Sequence, residues 1–135
     1  NVGINGVLYN WPAVMTEGIC PTGWHVPSNG EFTQLSDFLG PSAGGKMKEG
    51  GTSNWWSPNI GATNSSGFTA LPGGYLSVPG FVNENGYGNH GYWWSSSAIG
   101  TTNAYSRIIY NYSEQLVGPS NNNRSRGFSA RCLKD

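Results

Sequence analysis

Charge is what this chain has least of. Lysine and arginine number seven, aspartate and glutamate seven, so charged residues are 10% of 135 and the net charge is zero. An average soluble chain carries roughly 25%. With neither sign in excess, nothing favours nucleic acid or an anionic membrane as a partner. Cysteine is scarce as well, with only Cys20 and Cys132. Neither has a second Cys-x-x-Cys cysteine or a histidine pair to complete a zinc knuckle. No apolar run approaches the length of a membrane span. The chain opens at Asn1-Val2-Gly3 without a signal peptide, and is expected to be a mature form or the C-terminal part of a larger exported protein.

Polarity comes instead from Asn, Ser, Thr and Gly, side chains that populate turns and loops. Aromatics reach 13%, with six Trp and seven Tyr. The length fits one domain and is enough to bury a core. The two cysteines sit in motifs at opposite ends, Ile19–Ser28 and Gly127–Cys132. Their apolar surroundings suggest one disulfide stapling the last strand to an early segment. The alternative is two unrelated buried thiols. Closing a loop of about a hundred residues is worth roughly 4–5 kcal/mol in the chain-entropy account. A bridge implies an oxidising location: periplasm, cell surface or extracellular space.

Local patterns place the elements. Gly6–Trp11 reads as a strand ended by Pro12. Ser28 and Glu31 form a capping box, and Phe32, Leu35, Phe38 and Leu39 follow at helical spacing. Gly40-Pro41 ends that helix, so it spans Asn29–Leu39. A short second helix over Ala43–Lys48 is weakened by Gly44 and Gly45, at about 1 kcal/mol each. Phe68–Leu76, Tyr92–Ser96, Ala104–Tyr110, Gln115–Val117 and Phe128–Leu133 read as strands or strand-to-turn segments. Long irregular loops, 48–67 and 79–91, lie between them. Trp24, Phe32, Phe38, Phe68, Trp94 and Phe128 are the expected core aromatics. Trp55, Trp56, Trp93, Tyr110 and Tyr112 are left without that explanation.

Four strings in order carry a resemblance. They are Cys20–Ser28 before the helix, Gly67–Tyr75, Tyr92–Ser97 and Gly127–Cys132. Together they resemble the Fibrobacter succinogenes major paralogous domain family over nearly the whole chain. The resemblance implies a bacterial exported protein and an α+β, C-type-lectin-like domain over 1–135. Such a fold has one or two short helices, a small twisted antiparallel sheet, abundant loop and one disulfide. Activity does not follow from fold.

Calcium-dependent sugar binding needs carboxylates grouped around the ion. The Glu-Pro-Asn and Trp-Asn-Asp strings of C-type lectins are absent, and Ser57-Pro58-Asn59 lacks the acid. No cofactor or catalytic metal is expected, though Asn83-Glu84-Asn85 leaves room for a structural calcium ion. His25 reads as a structural histidine bonded to backbone, and His90 as an exposed loop residue. No Ser-His-Asp set can be assembled. A formylglycine-generating type of enzyme would need reactive cysteines beyond a structural pair. The expectation is therefore non-catalytic binding of a protein or cell-surface glycan by a secreted or surface protein, bacterial or phage. The alternatives are a structural module with no ligand and the formylglycine-generating type of enzyme.

The expected contact residues are Trp93, Tyr105, Tyr110, Asn111, Tyr112, Asn121, Asn122, Asn123 and Arg124. Rigid aromatics beside adaptable amides are what binding faces are made of. On a strand, Tyr110 shares a face with Ile108 and Ser106, while Tyr105 goes with Arg107 and Ile109. The pattern leaves open which face is buried. Tyr112 and the Asn121–Asn123 run are expected in connections. Tyr92–Arg131, dense in Asn, Tyr and Ser, also resembles the variable region that diversity-generating retroelements rewrite by mutating adenines, as in Asn codons.

Overall fold

The structure, a computed structural model, describes residues 2–77 and 84–135. Its helices are α1 (Val2–Asn5), α2 (Trp11–Val14), α3 (Asn29–Leu39) and α4 (Ala43–Met47). Its strands are β1 (Trp24–His25), β2 (Tyr75–Leu76), β3 (Glu84–Asn85), β4 (His90–Ile99), β5 (Asn103–Tyr110), β6 (Val117–Asn123) and β7 (Leu133–Lys134). The architecture is α+β, with the helices before the main sheet. That sheet is antiparallel, in the order β4-β5-β6. Two small antiparallel pairs, β1-β7 and β2-β3, stand beside it.

Helix α3 forms where the sequence places it. Ser28 Oγ accepts from the Glu31 N–H at 3.2 Å, and Glu31 Oε2 accepts from the Ser28 N–H at 2.7 Å. Gly40 takes φ +80° just past the end, a conformation that suits glycine. Phe32 and Leu39 are buried, and Leu35 packs beside them. Phe38 is a correction: it is 86% exposed. At about 100° per residue it lies roughly 120° round the helix from Phe32, beyond the covered stripe. Trp24, also expected in the core, is 45% exposed on the short β1-β7 ribbon.

Helix α4 keeps its two glycines for a reason. A Cβ on Gly44 would collide with the Gln115 carbonyl, and one on Gly45 with the Gly61 carbonyl. The close approach of two loops needs the missing side chains, and the helix accepts the weaker propensity.

The N-terminal strand expected over Gly6–Trp11 is replaced by one bridge, Tyr9 to Phe128, followed by α2. Asn10 caps α2 by accepting from the Ala13 N–H at 3.0 Å. Pro12 falls in the first turn, where its missing N–H costs nothing, so it opens a helix instead of ending a strand. Phe68–Leu76 and Phe128–Leu133 likewise reduce to isolated bridges plus the two-residue strands β2 and β7. The last expected strand before the Asn run begins at Val117 and continues through Asn123, so the run is itself strand β6.

Two apolar clusters flank the main sheet. Phe32, Leu39, Ala43, Met47, Trp55, Ala70, Trp93 and Ile109 form the one on the helical side. Val14, Val26, Trp94, Ala104 and Phe128 form the other. Cys20 packs against the second and is bonded to Cys132 across 112 residues, which leaves no free thiol. His25 ties the same junction differently from expectation. Its ring meets two carboxylates, Asp135 and Glu31, in place of backbone. The hydrogen bond its ring donates to Asp135, then that to Glu31, raises its pKa above the usual histidine value.

Ser28→Ala should lower stability by about 1 kcal/mol, the value of a typical N-cap. Phe32→Ala should cost about 3–5 kcal/mol as a core truncation. Phe38→Ala should stay within about 0.5 kcal/mol of wild type. Urea unfolding of the three variants checks this; a large loss at Phe38 would contradict the packing described.

Candidate functional site

Strand β5 decides what the sheet shows to solvent. Arg107 and Ile109 point toward α3. Ile109 joins the helical cluster. The buried Arg107 guanidinium donates to Asn29 Oδ1 at 2.7 Å, Asn29 O at 3.2 Å and Thr33 Oγ1 at 3.1 Å. Burial pushes its pKa down. Ser106, Ile108 and Tyr110 take the other face, opposite Trp94, Tyr92 and His90 on β4. At the Trp94 end that face is covered by Phe128, with the two rings 4.3 Å apart. At the Tyr110 end it opens.

The open end is aromatic. Tyr110 stacks on Tyr112 at 4.9 Å and 14°, and meets the His90 ring edge-on at 4.9 Å. Tyr92 continues the row, with Tyr75 4.9 Å away and Phe128 4.8 Å away. Burial raises the Tyr92 and Tyr110 phenols above their ordinary pKa and lowers that of His90. Burial thus favours the uncharged form of all three. Tyr112 is 58% exposed, Trp56 55% and Ile60 44%.

Asn111 ties together the backbone that carries these exposed groups. Its N–H donates to Asn89 O at 2.9 Å, and its carbonyl accepts from the Ile60 N–H at 2.7 Å. Its side-chain amide donates to Trp56 O at 3.2 Å and Ser57 O at 3.1 Å. Trp56 rests over Gly88, where a Cβ would strike the indole. Beneath them the fully buried Lys48 Nζ donates to Ile60 O at 2.7 Å, Tyr110 O at 3.0 Å and Ser113 O at 2.9 Å. The Trp55 ring lies 5.5 Å from the same nitrogen. Desolvation pushes the Lys48 pKa down to about 8, and the Glu114 carboxylate opposes that shift.

The expected contact residues divide. Tyr110 and Tyr112 stand in the open patch. Trp93, Asn111 and Asn122 are corrections in accessibility, because all three are buried. Trp93 packs edge-on against Phe68 at 5.9 Å in the helical cluster. Asn122 is committed within the sheet: Nδ2 donates to Ser106 Oγ at 2.8 Å, and Oδ1 accepts from Arg126 Nη1 at 2.8 Å. Asn121, Asn123 and Arg124 lie at the far end of the sheet. Arg124 donates to Asn103 O and Gly100 O and covers the Trp11 ring at 4.3 Å. Asn121 faces Tyr105 across the ladder, and Asn123 faces Asn103. At about 3.4 Å per residue, the two ends of β5 are roughly 24 Å apart.

Sequence reasoning missed Tyr75, Tyr92, Ile60 and Arg126 as neighbours of this face. A period-2 reading from Trp94 back to Tyr92 and His90 would have found two of the rings on it. Of the lectin-like echo, Asn59 turns inward and donates to Glu49 O at 3.1 Å and Gly51 O at 2.6 Å. Asn83 lies outside the described residues, as do the side chains of Glu84 and Asn85. Among the described residues no cluster of three or more His, Cys, Asp or Glu is grouped to hold a metal ion.

The fold and its single long-range disulfide define a loop-rich α+β domain with an aromatic patch at one end of its sheet. Residues 1–134 match the family model described as Fibrobacter succinogenes major domain, and the chain belongs to that family. Membership suggests a domain of a surface or secreted protein. No curated protein and no solved structure matches the chain.

Lys48→Met should destabilise the domain by about 3 kcal/mol, because it takes the donor from three partly buried carbonyls at roughly 1 kcal/mol or more each. Denaturant unfolding reads the loss. A change below about 1 kcal/mol would show that water or local rearrangement replaces the ammonium.

Proposed function

We propose that this domain is a non-catalytic binding module of an exported bacterial or phage protein, with a C-type-lectin-like fold. Its partner is a protein or cell-surface glycan, met through the patch of Trp56, Ile60, Tyr110 and Tyr112. The observation that carries this reading is the exposure of three large apolar side chains on a backbone held by Asn111 and Lys48. Grouped exposed apolar residues mark interaction surfaces, and Trp and Tyr are the usual energetic anchors. The disulfide supports export. Both cysteines are in that bond, which argues against a formylglycine-generating type of chemistry.

A second feature supports a variable surface. Asn121 and Asn123 are exposed on an edge strand, where side chains can change without disturbing the core. In this reading the adenine-rich codons of the last forty or so residues are retroelement targets. A reverse transcriptase gene beside a near-copy of that coding segment would support it; its absence from the surrounding DNA would count against it.

Glycan arrays and envelope-protein panels probed with wild type and with Trp56→Ala/Tyr112→Ala test the site. The double variant should keep the wild-type melting temperature and lose binding at least tenfold, since anchors are worth about 2 kcal/mol each. Asn121→Ala/Asn123→Ala should keep both stability and most of the affinity. Asn122 is not a fair probe of binding, since its loss strands Ser106 and Arg126. Full affinity in the Trp56/Tyr112 variant would place the site elsewhere.

A further inference from the structure

A groove of about 350 Å³ lies between α3, residues 66–68 and the segment 131–134. Its walls are apolar, made by Trp24, Phe32, Leu35, Phe68 and Leu133. That volume is at the lower end for small-molecule sites, and many apolar groups with a few polar ones are their usual lining. None of these residues belongs to the patch around Tyr110. Trp24, paired with Lys134 on the β1-β7 ribbon, lines the groove and is 45% exposed.

The rim carries two cations, Arg131 and Lys134. The Arg131 guanidinium lies over the Phe68 ring, 4.5 Å from its centre. Among the described residues neither Arg131 nor Lys134 makes an ion pair, since the ion pairs present are those of His25. Glu31 is the acid on this rim. Its oxygens are already taken by the Ser28 N–H at 2.7 Å and the His25 ring at 2.9 Å. An anion entering the groove therefore meets a guanidinium and an ammonium without ion pairs of their own, beside a carboxylate whose oxygens are already engaged.

We propose that this groove binds a small amphiphilic carboxylate. Its aromatic or alkyl body sits against Trp24 and Phe68, and its acid group is held by Arg131 with Lys134 beside it. The planar fork of arginine matches a carboxylate with two parallel hydrogen bonds. A neutral molecule of the same shape gains the walls and leaves the fork to water. The site is independent of the aromatic patch, so it stands or falls separately from the binding reading above.

The test uses 4-phenylbutyrate and its neutral counterpart, 4-phenylbutan-1-ol, titrated into the ¹⁵N-labelled domain. The acid should shift the Trp24 indole N–H and the amides of residues 131–134, and should bind about tenfold more tightly than the alcohol. Arg131→Gln, a surface change that leaves the spectrum dispersed, should erase that difference, and Lys134→Gln should reduce it. Equal binding of acid and alcohol would overturn the proposal. So would shifts confined to Trp56 and Tyr112, or no shift up to about 10 mM acid.

Discussion

Lys48 is fully buried, and its ammonium meets the carbonyls of Ile60, Tyr110 and Ser113. One of these lies in the long loop after α4 and two flank the turn after β5. Taking an ammonium out of water costs several kcal/mol, and only well-placed acceptors offset it. Three backbone dipoles and the Trp55 ring supply that here. The result is a tethered cation that ties irregular backbone to the end of a regular strand. Loops of this length carry too few ladder bonds to hold one shape without such a tie. Asn111 adds a second layer above it, with three more bonds to the same loop and one to Asn89. The exposed rings of Trp56 and Tyr112 stand on this foundation.

The opposite side of the molecule is held by other means. The Cys20–Cys132 bond closes most of the chain into one loop. The β1-β7 pair and the His25 bridge to Glu31 and Asp135 fasten the same junction. Glu31 does two jobs, since its second oxygen completes the α3 capping box. Its carboxylate is accordingly held below the usual range, chiefly by the Ser28 backbone bond. The scarcity of charge in the composition thus has a structural counterpart. Four of the ionisable groups with shifted behaviour, Lys48, Arg107, His25 and Glu31, sit where separate segments join.

Helix α3 was legible because its signals are local: a capping box, an apolar stripe and a glycine stop within thirteen residues. Phe38 misled because four apolar residues spread over more of the helix than the core covers. The Asn run misled in the opposite direction. Its composition reads as turn, but cross-strand pairing with Tyr105, Ala104 and Asn103 makes it a strand. Pro12 has two meanings, strand stop or helix start, and only the Asn10 cap distinguishes them. Tyr110 and Tyr112 stand out in the sequence as aromatics beside Asn and Ser without a core role. Trp56 and Ile60 join them through hydrogen bonds that no spacing rule announces. Lys48 was the least legible, because a lone lysine in a polar stretch reads as surface until three distant carbonyls converge on it.

The central claim is that the Lys48 ammonium organises the loops under the aromatic patch, and its own protons report on it. ¹⁵N–¹H spectra selective for lysine Nζ groups, recorded below the group's pKa of about 8, measure this directly. One ammonium should give a sharp, slowly exchanging signal with couplings across hydrogen bonds to the carbonyl carbons of Ile60, Tyr110 and Ser113. The account is contradicted if every lysine ammonium exchanges at the rate of free solvent-exposed lysine.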